Sequence, residues 1–324
     1  MFEEEIKELE KTEADLTRHP DWEEFWHKNI QQLRAGDPET EKEFYDYPLR
    51  SVKVFKIKFR AHDNARLCAW YLIPAFTSGK QHPCIIHFHG AGGNKGIPAD
   101  YLKWTDLGFA VIALDIREQG GESGSAAAAA RGRFDNPYCR GILDKEESYI
   151  KDIYLDAVGT IDLAMTFPEI DPDYIVLEGG SQGGGLCLAG AALHQSVRYI
   201  MADVPSMCHL EARVKGFNGV LAGVSKYLAQ RPADFKQVRE TLSYFDIINM
   251  AAKIKADIFA SVGLRDDICP AAMFFAAYNR IKTSKEVKIY YFNGHEGGGK
   301  YHEDLKLRRA AALLDNRDKL QLAL

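Results

Sequence analysis

The sequence predicts an α/β fold, one mostly parallel sheet with helices on both faces. Short strand-like apolar runs recur at Cys84–Phe88, Ala110–Leu114, Tyr174–Leu177, Tyr199–Ala202, Ile258–Val262 and Val287–Tyr291. Helical stretches such as 146–166 and 183–195 fall between them. Runs without alternating polar positions suit strands buried on both faces, and strands that alternate with helices are joined by crossover connections, which make neighbours parallel. A chain of 324 residues, 46% hydrophobic and 27% charged, has the size and balance of one large globular α/β domain. We therefore read residues 1–324 as a single domain.

The remaining elements follow in chain order. Residues 1–36 read as helical, and 1–40 as an N-terminal helical extension. Asp21 stands at an expected N-cap with Glu24 three positions on, a capping pattern. Trp22, Phe25 and Trp26 form an apolar stripe expected to dock on the main domain. Between Ser51 and Ile73, β-favouring residues partly alternate with lysines and arginines around a turn at His62-Asp63-Asn64, which predicts antiparallel strands at the sheet edge. Gly120–Arg140 is a long polar loop that contains the run Ala126–Ala130. Residues 207–253 are mainly helical and separate two strands, the pattern of a cap inserted over a site.

Composition excludes several classes of function. Net charge is −5 and no long basic run occurs, so neither nucleic acid nor an anionic membrane is an expected partner. No apolar stretch reaches 18 residues, so no membrane span is expected. The acidic start, Met1-Phe2-Glu3-Glu4-Glu5, does not read as a signal peptide. The six cysteines (68, 84, 139, 187, 208 and 269) show no CxxC spacing and read as reduced, mostly buried thiols of a cytoplasmic protein, with no zinc site.

The chemistry concentrates at Gly179-Gly180-Ser181-Gln182-Gly183, a G-x-S-x-G pentapeptide. The strand-like run before it and the small-residue helix after it form the strand–turn–helix unit that lifts a nucleophilic serine out of an α/β-hydrolase sheet. The tight turn requires small residues at Gly179 and Gly183. The amide of Gln182, at a helix N-terminus, is placed to receive a developing oxyanion. A serine hydroxyl needs a base, and the base an orienting carboxylate, in the chain order Ser, Asp or Glu, His for this fold. Two downstream strand ends supply them: Gly263-Leu264-Arg265-Asp266-Asp267 and Asn293-Gly294-His295-Glu296. His295 is the expected base, and Asp266 is preferred over Asp267 as the acid. His302 lies in a charged helix and reads as solvated; Cys269 reads as packing. The second oxyanion donor belongs to His89-Gly90-Ala91-Gly92-Gly93, with the amide of Ala91 the candidate. His87 and His89 would share a strand face, but a third ligand is missing, so they read as structural and no metal is assigned.

Taken together, Asp21-Trp22-Glu23-Glu24-Phe25-Trp26, Arg140–Asp144, Gly180–Gly185, Asp203-Val204-Pro205, Thr241–Asp246, Gly263–Pro270, Phe275–Asn279 and His295–Gly299 resemble the acetyl xylan esterase / cephalosporin C deacetylase family, carbohydrate esterase family 7. The resemblance covers most of the chain. It implies an α/β-hydrolase fold, Ser181 as nucleophile, Asp266 as acid, His295 as base, and oxyanion amides at Gln182 and Ala91. It further implies a homo-oligomer, hexameric in this family, with access restricted to small substrates. The chain departs from the family pattern in three places. Arg117-Glu118-Gln119 carries glutamate where the family has glycine. Ala91 replaces a tyrosine. The loop between Arg117 and Arg140 is shorter.

The expected activity is hydrolysis of short acyl esters, acetyl first, of a carbohydrate or similar small alcohol, without metal or organic cofactor. The lack of a signal peptide points to imported oligosaccharides. The alternatives are a larger ester, a thioester or an amide as substrate, transfer of the acyl group to an alcohol acceptor, or a non-catalytic binding protein on the same fold.

Overall fold

The computed structural model describes residues 2–76, 81–124, 136–216 and 218–321. Nine strands form one sheet: β1 (Glu41–Tyr45), β2 (Val52–Arg60), β3 (Arg66–Pro74), β4 (His82–Phe88), β5 (Ala110–Leu114), β6 (Ile170–Gly180), β7 (Val197–Asp203), β8 (Asp257–Gly263) and β9 (Lys285–Tyr290). Among the described residues, ten α-helices accompany them: α1 (Phe2–Glu10), α2 (Trp22–Ala35), α3 (Leu102–Leu107), α4 (Tyr149–Ala164), α5 (Gln182–Leu193), α6 (Leu210–Arg213), α7 (Ala222–Gln230), α8 (Phe235–Ser243), α9 (Ala271–Tyr278) and α10 (Gly299–Gln321). The sheet order is β1-β2-β3-β5-β4-β6-β7-β8-β9. The first three strands are antiparallel, as is the junction of β3 with β5; from β5 to β9 every pairing is parallel. This is the α/β-hydrolase fold.

Side-chain alternation divides the interior between the two faces of the sheet. On β4, Cys84, Ile86 and Phe88 enter a core shared with α2, α4, α5 and α9. Ile85 between them enters a second core with Val111, Val176, Phe259 and Trp104 of α3. Both faces are therefore buried, which is why these strands read as unbroken apolar runs. Strand β1 has no such signature, since all five of its residues are exposed.

Two N-terminal expectations need correction. The extension forms two helices, with residues 11–20 outside them. Asp21 occupies the position before α2 but makes no side-chain cap. Its carboxylate instead accepts from Lys145 Nζ at 2.6 Å and also bonds the Tyr244 hydroxyl, so a tertiary ion pair outcompetes the local cap. The stripe does dock. Both indole N–H groups, of Trp22 and Trp26, donate to the Tyr244 carbonyl at 2.9 and 3.0 Å. Two motifs more than 200 residues apart thus meet in one contact.

Residues 207–253, between β7 and β8, hold α6, α7 and α8. The buried Asp246 carboxylate accepts the amides of His209 and Leu210 at 2.8 and 2.5 Å, pinning the start of this segment to its end. The run Ala126–Ala130 lies outside the described residues.

Arg117 is completely buried at the end of β5. Its guanidinium donates to both oxygens of Asp156, each at 2.6 Å, and to both oxygens of Asp63 at 2.8 and 3.1 Å. Asp152 joins them, held by Arg140 at 2.7 Å and His62 at 3.0 Å. Burial alone would raise the Asp152 carboxyl; the His62 hydrogen bond and the charges of Arg117 and Arg140 outweigh it and hold the group at about 2, against an ordinary 3.8. A carboxyl depressed in the folded state contributes stability that is present above its unfolded value and lost as pH falls towards the folded one. We expect Asp152 to contribute at most about 2 kcal/mol, lost between about pH 4 and pH 2. The urea midpoint of the wild type should fall more steeply across that window than that of Asp152→Asn.

The next residue, Glu118, has φ 60°, the left-handed region. Glycine adopts this conformation freely and glutamate does not. Glu118 thus holds a backbone conformation that a glycine at this position would adopt without strain. The Glu118 carboxylate faces Arg140 at 3.3 Å.

Candidate active site

Ser181 sits between β6 and α5 at φ 56°, ψ −118°, a conformation that costs a non-glycine residue on the order of 1–3 kcal/mol. Its surroundings impose it. The Ser181 amide donates to the Asp203 carbonyl at 2.8 Å, and the Ser181 carbonyl accepts from the amides of Gly185 and Ser206, both at 3.0 Å. The turn is so close to β4 that a Cβ on Gly183 would stand 1.9 Å from the Phe88 carbonyl oxygen, and one on Gly179 2.5 Å from the same atom. This is the physical reason for glycine on both sides of the serine.

The structure brings Ser181, His295 and Asp266 together from three strand ends. His295 Nε2 lies 3.0 Å from Ser181 Oγ, and His295 Nδ1 lies 2.9 Å from Asp266 Oδ2. Asp266 is buried, and its other oxygen accepts the amides of Ile268 and Cys269 at 2.9 and 2.8 Å. Burial pushes its carboxyl up, but the His295 hydrogen bond and these amides prevail and hold it below the ordinary value. Asp267 is exposed and faces Asn218 instead. Glu296 clips the loop that carries His295, accepting from Asn293 Nδ2 at 2.8 Å and the Gly294 amide at 3.0 Å. Cys269 borders the serine, its thiol pushed up to about 12 by burial and therefore uncharged.

Gln182 is the first residue of α5, so its amide is among those with no acceptor inside the helix. Ala91 is exposed in the loop after β4 and presents only a methyl group. Gln119 braces both sites: its Oε1 accepts the Gly92 amide at 2.7 Å, and its Nε2 donates to Gln182 Oε1 at 2.7 Å and Tyr149 Oη at 2.9 Å. His89 fixes the same loop. Its Nδ1 donates to the Gly90 carbonyl at 2.7 Å and its Nε2 accepts the Ile116 amide at 2.9 Å. Burial lowers this imidazole to about 4, which keeps it neutral and the tautomer defined.

These groups open into a cavity of about 1030 Å³. Gly219 and Val220, from residues 207–253, line it together with Tyr138, Ile268 and Cys269. Across it stand His87, Glu178, Asp203, Glu303 and Lys306, a charged group that sequence reasoning missed. His302 belongs with them and corrects the expectation of a solvated histidine: it is buried, stacked on Phe259 and 2.9 Å from Asp203. Among the described residues, three sets of side chains have the spacing to share a metal ion, and each already holds a cationic side chain. Lys306 lies among Glu178, Asp203 and Glu303, Lys95 between Asp115 and Glu122, and Arg117 against Asp63 and Asp152. All six cysteines are free thiols.

A family model described as acetyl xylan esterase (AXE1) matches residues 1–312. The chain belongs to the acetyl xylan esterase family. It is a carboxylic ester hydrolase. An acetyl xylan esterase from Paenibacillus sp. R4 superposes with a TM-score of 0.88 at 32% identity, over 94% of this chain and 98% of that one. Acetyl xylan esterase 1 from Thermoanaerobacterium sp. JW/SL YS485 gives 0.88 at 30% identity, over 95% and 98%. The acetyl esterase Axe7A of Xylanibacter ruminicola is 25% identical over 291 residues, 86% of this chain. The chain spans 64% of the length of that curated relative. Among the described residues of this family member, no helix is long and apolar enough to cross a membrane.

Proposed function

We propose that the protein removes acetyl groups from esters of carbohydrates or similar small alcohols, through an acyl-enzyme on Ser181. The observation that carries this reading is the unbroken line Ser181 Oγ–His295 Nε2 (3.0 Å) and His295 Nδ1–Asp266 (2.9 Å), opening into a cavity of an acetyl xylan esterase family member. His295 takes the hydroxyl proton as Ser181 attacks the carbonyl carbon. The amides of Gln182 and Ala91 receive the oxyanion, each contributing about 3 kcal/mol to the barrier reduction. Collapse breaks the ester bond, and the alcohol leaves with the proton from His295. Water, deprotonated by the same imidazole, then releases acetate and regenerates Ser181. Asp266 holds the Nδ1–H tautomer throughout. Arg117, Gln119, Gly179, Gly183 and Glu296 position these groups.

In this reading residues 1–324 act as one catalytic domain, with 1–40 as its extension and 207–253 as the cap over the cavity. A panel of p-nitrophenyl acetate, butyrate and octanoate tests the acyl preference. We expect kcat/KM to fall with chain length; equal or rising rates would shift the reading to longer acyl chains. A cytoplasmic homo-oligomer, hexameric by family likeness, completes the proposal. The exposed edge strand β1, with Phe44 and Tyr45, leaves a surface for such contacts. A monomer in sedimentation velocity at micromolar concentration would remove that part.

A further inference from the structure

The cavity in front of Ser181 has a charged wall that the ester chemistry does not use. His87 and Glu178 pair across β4 and β6, and Gly180 pairs with Asp203 across β6 and β7. Alternation along β6 therefore puts Glu178 and Asp203 on one face. Lys306 descends from α10 onto that face with its side chain 1% exposed. Its Nζ donates to Glu178 at 2.7 Å, to Asp203 at 2.6 Å and to Glu303 at 2.6 Å, which uses all three ammonium donors. The second Glu178 oxygen meets His87 Nδ1 at 2.5 Å. A carboxylate accepts only, so Nδ1 carries the proton, and Nε2 is the acceptor of the neutral ring. Nε2 has no partner among the described residues, and the His87 side chain is 21% exposed at the cavity wall. Glu303 is 39% exposed in the same wall, where its Oε1 meets Lys306 and its Oε2 meets Lys103, so each carboxylate oxygen keeps one lone pair for a further donor.

The wall thus sets three carboxylates against the ammonium groups of Lys306 and Lys103 and presents two acceptors, His87 Nε2 and the remaining lone pairs of the Glu303 carboxylate, within the cavity of Ser181. Its chemistry selects among occupants. The space a cation would take among the three carboxylates is filled by Lys306. An anion would meet those carboxylates. The alkyl or aryl part of a simple ester has no hydroxyl left to donate to them, whereas a neutral polyhydric alcohol keeps free hydroxyls after esterification and offers donors to both. We propose that His87 and Glu303 form a hydroxyl-binding subsite for the alcohol part of the ester, which selects a polyhydroxylated leaving group such as a sugar. The inference rests on the esterase reading and specifies its substrate.

The test compares kcat/KM for a monoacetylated xylo-oligosaccharide with that for p-nitrophenyl acetate, in the wild type, His87→Ala and Glu303→Gln. A hydrogen bond that only the sugar makes should be worth roughly tenfold. The expected result is a fall of about tenfold on the sugar ester in each variant, with the aryl ester within twofold of wild type. Equal changes on both esters, or none on either, overturn the subsite. If His87→Ala does not fold, Glu303→Gln, on a partly exposed turn of α10, carries the same comparison. A wild type active on the aryl ester but inert on the sugar ester overturns the subsite and leaves ester hydrolysis standing. A wild type inert on both removes the esterase reading itself.

Discussion

Ser181→Ala should lower kcat for p-nitrophenyl acetate by about 10⁴- to 10⁶-fold while the protein remains folded. The hydroxyl is the only part of the side chain that is lost, and the backbone bonds that impose φ 56° do not involve it. Residual turnover should come from the oxyanion amides and from binding, so replacement of His295 as well should cost little more. Intact-protein mass spectrometry of the wild type mixed with an organophosphonate should show one adduct, on Ser181, and none in the variant. Unchanged turnover in Ser181→Ala would exclude the serine as nucleophile and favour a binding protein on this fold, or a different reacting group.

Lys306→Met should destabilise the fold by about 3–5 kcal/mol, because it strands two buried carboxylates, Glu178 and Asp203, that lose a shared counter-ion. For a chain of this size the loss corresponds to a fall in Tm of roughly 5–10 °C, read by calorimetry. The direction follows from asymmetry: an intact buried ion pair adds little over a hydrophobic pair, but a broken one leaves charge without solvent. Glu178→Gln in the same chain should therefore recover part of the loss, and the coupling between the two changes is the quantity a double-mutant cycle measures. Activity should fall as well. Lys306 joins the helix that follows the His295 loop to the strand that ends in Ser181, so its loss loosens one against the other. If the single variant melts within about 1 °C of wild type, the ammonium is not a structural counter-ion.

How much of this was legible in the sequence depends on whether a signal is local. The parallel strands β4 to β8 were legible because burial on both faces leaves an unbroken apolar run, and β1 was not, because five exposed residues leave none. Ser181, Asp266 and His295 were legible because each stands at the end of a strand in a fixed chain order. The choice between Asp266 and Asp267 rested on preference until the fold buried one carboxylate against His295 and turned its neighbour to solvent. Asp21 shows the opposite failure. Its local pattern reads as a helix cap, and a lysine 124 positions away takes the carboxylate instead.

The sequence alone determined the α/β-hydrolase class, the serine turn and the three groups brought to it, because short-range sterics and burial periodicity are written residue by residue. Only the tertiary structure decided which charges are buried together. Lys306, Glu178, Asp203, His87 and His302 come from four strands and helices, and nothing in their spacing separates them from solvated surface charge. Folding brings them within hydrogen-bond distance and excludes water, and the low local dielectric then makes each dependent on the others.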